Sequence, residues 1–323
     1  MANVDRVLLQ QATGRPGENR LVRAHRVTWR RFGQGRDGEV RLITWMGEAR
    51  PEAAILLPGN RHVRIARLNA ERGTRWPTGV GALVGRGLVT ALRDYWRREE
   101  GRAEALAEAT DTARWGALFA PRGKVWGIGL NYADHAADLG AQRPEEPASF
   151  MKPWDTAVPP GAGVHLPAES KRVTAEAELA LVVGRPMRGV AAEEALSGVA
   201  GAVAALDFTA EDILERNPRF LTRAKSFEGF VSFGPVLVTL DEWPDLSSVR
   251  VATVANGHVV RENTVANMHF APADLLSFHS RVFTWRPGDL LLTGTPGATR
   301  VQPGDVVEAH VGDLPPLRQA ILP

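Results

Sequence analysis

Glu176 and Glu178 stand two residues apart in the run Thr174-Ala175-Glu176-Ala177-Glu178-Leu179-Ala180-Leu181-Val182-Val183. In a β-strand that spacing puts both carboxylates on one face, about 7 Å apart along the backbone and within reach of one cation. A bare Glu-x-Glu also suits a solvated sheet edge. Here Leu179 to Val183 is continuously apolar, as in a strand covered on both faces, and two like charges beside it are costly unless compensated. A third acid, Asp207, ends the apolar run Ala202-Val203-Ala204-Ala205-Leu206. On its own it also reads as a helix cap before Thr209-Ala210-Glu211-Asp212. Together the three carboxylates form an all-oxygen set at strand ends, which selects a hard cation: Mg²⁺ first, with Mn²⁺ or Ca²⁺ as alternatives.

A second group of polar residues follows the apolar segment Val125-Trp126-Gly127-Ile128-Gly129, in Leu130-Asn131-Tyr132-Ala133-Asp134-His135-Ala136-Ala137-Asp138. His135 and Asp138 are neighbours at i, i+3 on a helix, and an acid beside a histidine raises its basicity as a general base toward water. Lys225 lies between apolar residues in Ala224-Lys225-Ser226-Phe227 rather than in a charge run. It is one of only four lysines, with Lys124, Lys152 and Lys171, against 39 − 4 = 35 arginines. In so Arg-rich a chain a lysine is more often kept where a compact ammonium matters. Leu290-Leu291-Leu292-Thr293-Gly294-Thr295-Pro296-Gly297 reads as a buried strand ending in a turn that offers N–H groups and a hydroxyl to an anion.

The elements that must position these residues follow from the surrounding pattern. The chain has 323 residues, 44% apolar and 24% charged, an ordinary globular composition with room for two unequal domains. Residues 1–120 read as an accessory domain. It has short strands at 23–29, 39–45 and 53–57, then helical spacing from Gly81 to Ala109 that Gly101 splits in two. Residues 121–323 carry buried strands at 125–130, 177–183, 199–208, 236–239, 249–255 and 290–293, with short helices at 191–197 and 271–283. Strands outnumber helices and long crossovers are few, so the class is α+β with a large, mostly antiparallel sheet core.

Other classes are excluded or left without support. No cysteine is present, which removes thiolate nucleophiles and cysteine-held metals. Charges nearly balance at +2 and no basic block with interleaved aromatics occurs, so a nucleic-acid partner is not expected. No apolar run approaches the roughly 20 residues of a membrane span, and the N-terminus shows no secretory pattern, so the expected location is cytoplasmic.

Taken in order, six segments resemble the fumarylacetoacetate hydrolase family in its two-domain bacterial form. They are the Gly-Leu-Asn-Tyr-x-x-His stretch, Phe150-Met151-Lys152-Pro153, the Glu-x-Glu strand, Leu206-Asp207-Phe208-Thr209-Ala210, Ala224-Lys225-Ser226-Phe227 and Thr293-Gly294-Thr295-Pro296. The resemblance runs from about Pro121 to Val311. It implies a mixed β-sandwich roll with a smaller N-terminal α/β domain, assembled as a homodimer. It implies Mg²⁺ or a similar ion on Glu176, Glu178 and Asp207, with His135, Asp138 and Lys225 catalytic. Tyr132, Lys152, Gly294 and Thr295 would then contact substrate, and the helix carrying His135 would act as a lid. The implied activity is hydrolysis of C–C bonds in β-diketo or 2-oxo acids of the acylpyruvate kind, through an enolate that the ion stabilises. Same-fold alternatives are a decarboxylase, isomerase, dehydratase or biosynthetic cyclase, and a different-class alternative is a non-catalytic ligand-binding protein. Two residues depart from the family pattern. Asp138 stands where hydrolases usually carry Glu. Glu211 stands where Arg is common, which removes an attraction for a substrate carboxylate; the segment 215–219 is the expected source of substitute charge.

Overall fold

Two adjacent strands, Val173–Val183 and Val199–Ala210, organise the protein. The computed structural model describes residues 40–48, 50–120, 123–133 and 144–323. The expected strand at 23–29 lies outside them. The two central strands pair antiparallel over almost their whole length, with Ala205 opposite Glu178 and Asp207 opposite Glu176. Because side chains alternate, each strand offers one set to each face of the sheet.

One face is apolar from end to end. Ala175, Ala177, Leu179, Leu181 and Val183 pack with Ala204, Leu206 and Phe208 against Val251, Val307, Ala309 and Val311 of a second sheet. That sheet has five strands, in the order His258–Thr264, Arg250–Ala255, Val306–Val311, Leu317–Leu322 and Val164–His165. The other face changes character along its length. Ala180, Val182, Val203 and Ala205 pack with Leu42, Ile55, Leu83, Leu92 and Trp96, whereas the next positions on that face are Glu178, Glu176 and Asp207. The carboxylates therefore begin where the second core stops.

The first sheet continues on both sides of the central pair. Leu290–Leu292 joins Val173–Val183 on one side, followed by Val125–Gly129 and Ala148–Lys152. On the other side come Leu237–Val238 and then Arg41–Met46, Pro51–Leu57 and Arg61–Arg64. Nearly all pairings are antiparallel, and strands outnumber long helices, so the fold is α+β with mixed sheets. Buried Arg41 fastens its strand from the side, donating from Nε to Glu242 at 2.9 Å and pairing through Nη2 with Asp313 at 2.7 Å.

The helical stretch breaks elsewhere than the sequence suggested. Helices span Val80–Gly85 and Val89–Ala103, so the second runs straight through Gly101. The break falls at Gly87, which has φ +66° and lies where a Cβ would come 2.8 Å from the Gly184 carbonyl oxygen. Gly101 costs about 1 kcal/mol relative to Ala in a helix interior. Burial of Leu92, Trp96 and Ala103 on the same helix outweighs that preference. The strand after Val199 likewise outruns expectation, reaching Ala210, so Asp207 is a strand residue and not a cap. Among the described residues no helix is long and apolar enough to cross a membrane.

Trp96 is fully buried, and its indole N–H has no hydrogen-bond partner among the described residues. Trp96→Ala should lower the unfolding free energy by about 3–5 kcal/mol. Trp96→Phe, which keeps most of the ring and loses no bond, should lose much less. Urea denaturation of both variants checks this ordering.

Candidate functional site

Glu176, Glu178 and Asp207 come together at the end of the central strand pair, each offering an oxygen within 4.8 Å of the others. Asp207 and Glu178 are 0% and 1% exposed. Strand register explains the convergence: Glu176 and Glu178 share a face, and Asp207 sits directly across from Glu176 on that face. Burial pushes the Glu178 carboxyl well above the usual carboxylate range, and the nearby Asp207 and Glu176 push it further. The Gly294 N–H, donating to Glu178 Oε2 at 2.6 Å, works in the opposite direction.

Two lysines stand among these acids. Lys225 ends the short helix Leu221–Lys225, and its ammonium bridges Glu176 at 2.8 Å and Asp207 at 2.6 Å. Burial alone would disfavour its charge, but Asp207 and Glu176 outweigh burial and hold its pKa above the usual lysine range. Lys152, at the end of the strand Ala148–Lys152, pairs with the other oxygen of Asp207 at 2.7 Å. Its ammonium also donates to the carbonyl oxygens of Phe208 at 3.2 Å, Phe230 at 2.9 Å and Lys225. Burial pulls the Lys152 pKa down to about 8, with Asp207 opposing that fall. Part of the compensation that the three acids require therefore comes from two ammoniums. With every group ionised, the cluster carries 2 − 3 = −1.

The donor set still suits a hard divalent cation. Glu178 is the one acid of the three without a lysine partner among the described residues, and it is buried with a single backbone donor. Glu176 keeps Oε1 for the Thr209 hydroxyl at 3.2 Å, a contact the sequence reading did not single out. The residues that would hold the ion are Glu176, Glu178 and Asp207.

Loops from three parts of the chain complete the surroundings. Gly294, at φ +103°, occupies a position where a Cβ would lie 2.8 Å from the Asn131 Cβ, so only glycine fits there without strain. Asn131 is the stitch among these loops. Its amide donates to the carbonyl oxygens of Thr293 at 2.8 Å and Phe270 at 3.1 Å, and its Oδ1 accepts from the Phe270 N–H at 3.0 Å. Sequence reading quoted Asn131 in its motif without giving it a role; an amide able to bond two backbones was the available signal. Tyr132 is fully buried, its hydroxyl has no partner among the described residues, and burial followed by the Glu178 charge raises its pKa. The buried Thr295 hydroxyl exchanges hydrogen bonds with the backbone of Gly297, both at 3.2 Å.

His135 and Asp138 lie outside the described residues. Glu211 is paired with Arg172 at 3.0 Å, and the same guanidinium also pairs with Glu215. The cation paired with Glu211 thus stands immediately before the neighbouring strand Val173–Val183.

The chain is similar to several known proteins. Oxaloacetate tautomerase Fahd2a of Rattus norvegicus is 36% identical over 199 residues, covering 59% of this chain and 64% of the tautomerase. The 4-hydroxyphenylacetate degradation bifunctional isomerase/decarboxylase of Escherichia coli is 34% identical over 205 residues, covering 63% of this chain and 48% of that protein. The crystal structure of 5-carboxymethyl-2-hydroxymuconate delta-isomerase from Mycobacterium smegmatis superposes with a TM-score of 0.66 at 25% identity, covering 87% of this chain and 98% of the isomerase. The profile of the fumarylacetoacetate (FAA) hydrolase C-terminal family matches residues 124–322, a span that holds the three acids, both lysines and the Gly294 turn, and the chain belongs to that family.

Proposed function

We propose that the protein is a divalent-cation-dependent enzyme that interconverts keto and enol forms, or positional isomers, of a 2-oxo acid or β-dicarbonyl acid. The observation that carries this reading is the buried ammonium of Lys225 set between Glu176 and Asp207, beside a third acid, Glu178, that has no lysine of its own. The tautomerase and isomerase names of the relatives support the enolising step. Mg²⁺ is the expected ion, with Mn²⁺ or Ca²⁺ as alternatives, and a homodimer is part of the proposal.

A bound divalent cation supplies Lewis acidity to the adjacent oxygens of an oxo acid. The protein's own groups do the rest. Glu176, Glu178 and Asp207 hold the ion. Lys225, charged and shielded from water, offsets the negative charge that grows on the substrate oxygen as a proton leaves carbon. The Tyr132 hydroxyl stays protonated and has a hydrogen bond to give. The Thr295 hydroxyl, released from the Gly297 carbonyl, seats the carboxylate, while His135, assisted by Asp138, carries the proton.

Hydrolysis of a C–C bond is the second reading, favoured by the His135-x-x-Asp138 spacing, because the same pair would deprotonate an attacking water. Isotopes separate the two. Isomerisation predicts wash-in of deuterium at C3 of a 2-oxo acid in D₂O with no cleavage. Hydrolysis predicts ¹⁸O from labelled water in a newly formed carboxylate. Saturable Mn²⁺ binding with neither outcome across a panel of 2-oxo acids and 2,4-dioxo acids would leave a non-catalytic binding protein.

Two substitutions test the roles. Glu178→Gln removes a charged donor and should weaken Mn²⁺ binding at least about tenfold in titration calorimetry. Lys225→Met should cut kcat by about 10²–10³-fold. It should also bind Mn²⁺ no more weakly than wild type, because the competing ammonium is gone from between two carboxylates. A joint loss of turnover and metal affinity would contradict this division of labour.

A further inference from the structure

Lys152 has a setting unlike that of a residue waiting for substrate. Its side chain is 0% exposed, the chain around it closes completely, and its ammonium meets four protein oxygens. Those oxygens come from four places: the Asp207 carboxylate, the next backbone carbonyl along that strand at Phe208, the end of the Lys225 helix, and Phe230 just before the strand Val231–Phe233. The Phe230 ring lies 5.8 Å from the same ammonium. Three carbonyl dipoles and one carboxylate aimed at a single buried positive charge form a cradle of the kind that otherwise receives a cation.

We propose that Lys152 is a positioning residue whose ammonium serves as a built-in cation, tying Asp207 and the Lys225 helix end into one rigid unit so that the acid cluster can accept a divalent ion.

The geometry has a direct consequence for Asp207. Its Oδ1 is committed to Lys152 at 2.7 Å and its Oδ2 faces Lys225 at 2.6 Å, so only the second oxygen is turned toward the lysine that also pairs with Glu176. Without the Lys152 charge, the carboxylate is free to rotate and the carbonyls of Phe208, Lys225 and Phe230 lose their shared donor. The segment 221–230, which carries Lys225, would then loosen. This role differs from the substrate contact that family resemblance implied for Lys152. It rests on the metal-dependent reading above only for the ion, and not for the rigid unit.

The test uses the full-length protein and two variants. Lys152→Met keeps length and apolar stem while deleting the charge. Lys152→Cys introduces the only thiol of a chain without cysteine, and alkylation of unfolded protein with 2-bromoethylamine, followed by refolding, rebuilds a lysine-like ammonium there. Circular dichroism selects folded samples. Expected for Lys152→Met are faster amide hydrogen exchange across residues 221–230 and a Mn²⁺ affinity reduced about 10–100-fold. Both should be restored by aminoethylation of the thiol and not by alkylation with neutral iodoacetamide. A folded Lys152→Met variant with wild-type Mn²⁺ affinity overturns the proposal. If the wild-type protein binds neither Mn²⁺ nor Mg²⁺, the metal reading fails instead. Exchange across 221–230 then decides: protection lost and regained with the ammonium supports the rigid unit, and unchanged protection overturns it.

Discussion

Everything in the site depends on Asp207 holding one lysine on each of its oxygens while fully buried. Removing charged groups from water costs several kcal/mol each, and only close, well-directed partners offset that cost. Asp207 has two ammoniums at 2.7 and 2.6 Å, the second of them donating a hydrogen bond to Oδ2. Glu176 shares the second of these, and Glu178 has a backbone N–H in place of a lysine. The cluster is consequently graded: one acid doubly paired, one singly paired, and one left seeking positive charge. A divalent ion answers that remaining demand, and a growing negative charge on a substrate oxygen finds Lys225 already in position.

The sandwich makes this cluster affordable by confining it to a small part of one face. Opposite that face, alternate residues of the same strands are apolar throughout and pack on the second sheet. On the charged face the second core ends at Ala180 and Ala205, and the acids begin at the next position of the alternation. Stability and chemistry thus use different stretches of the same two strands. The loops around the acids are fixed by Asn131, whose side chain joins the Thr293–Gly294 turn to the segment at Phe270 and so keeps the Gly294 N–H aimed at Glu178.

Beyond the end of the second central strand, Glu211 begins the helix Glu211–Arg216. Its carboxylate is held by Arg172 across the strand pair, and that arginine is shared with Glu215. These groups are about one-third exposed or more, so solvent screens them far better than the buried pairs of Asp207 with Lys152 and Lys225.

Period-two alternation is local, so the sequence alone determined that Glu176 and Glu178 share a face, and an apolar run next to Asp207 marked it as a third acid at a buried strand. Order of motifs likewise revealed the family and the α+β class. Local pattern failed at Gly101, where helix propensity suggested a break that burial of Trp96 and its neighbours overrides, while the true break at Gly87 answers to a backbone contact with Gly184. Tertiary structure alone decided that the acids are met by Lys152 and Lys225, that Gly294 donates to Glu178, and that Arg172 holds Glu211. The partners in the first two cases are as much as 116 residues apart, and contacts at such separation arise from chain crossing and packing, about which spacing along the chain carries no information.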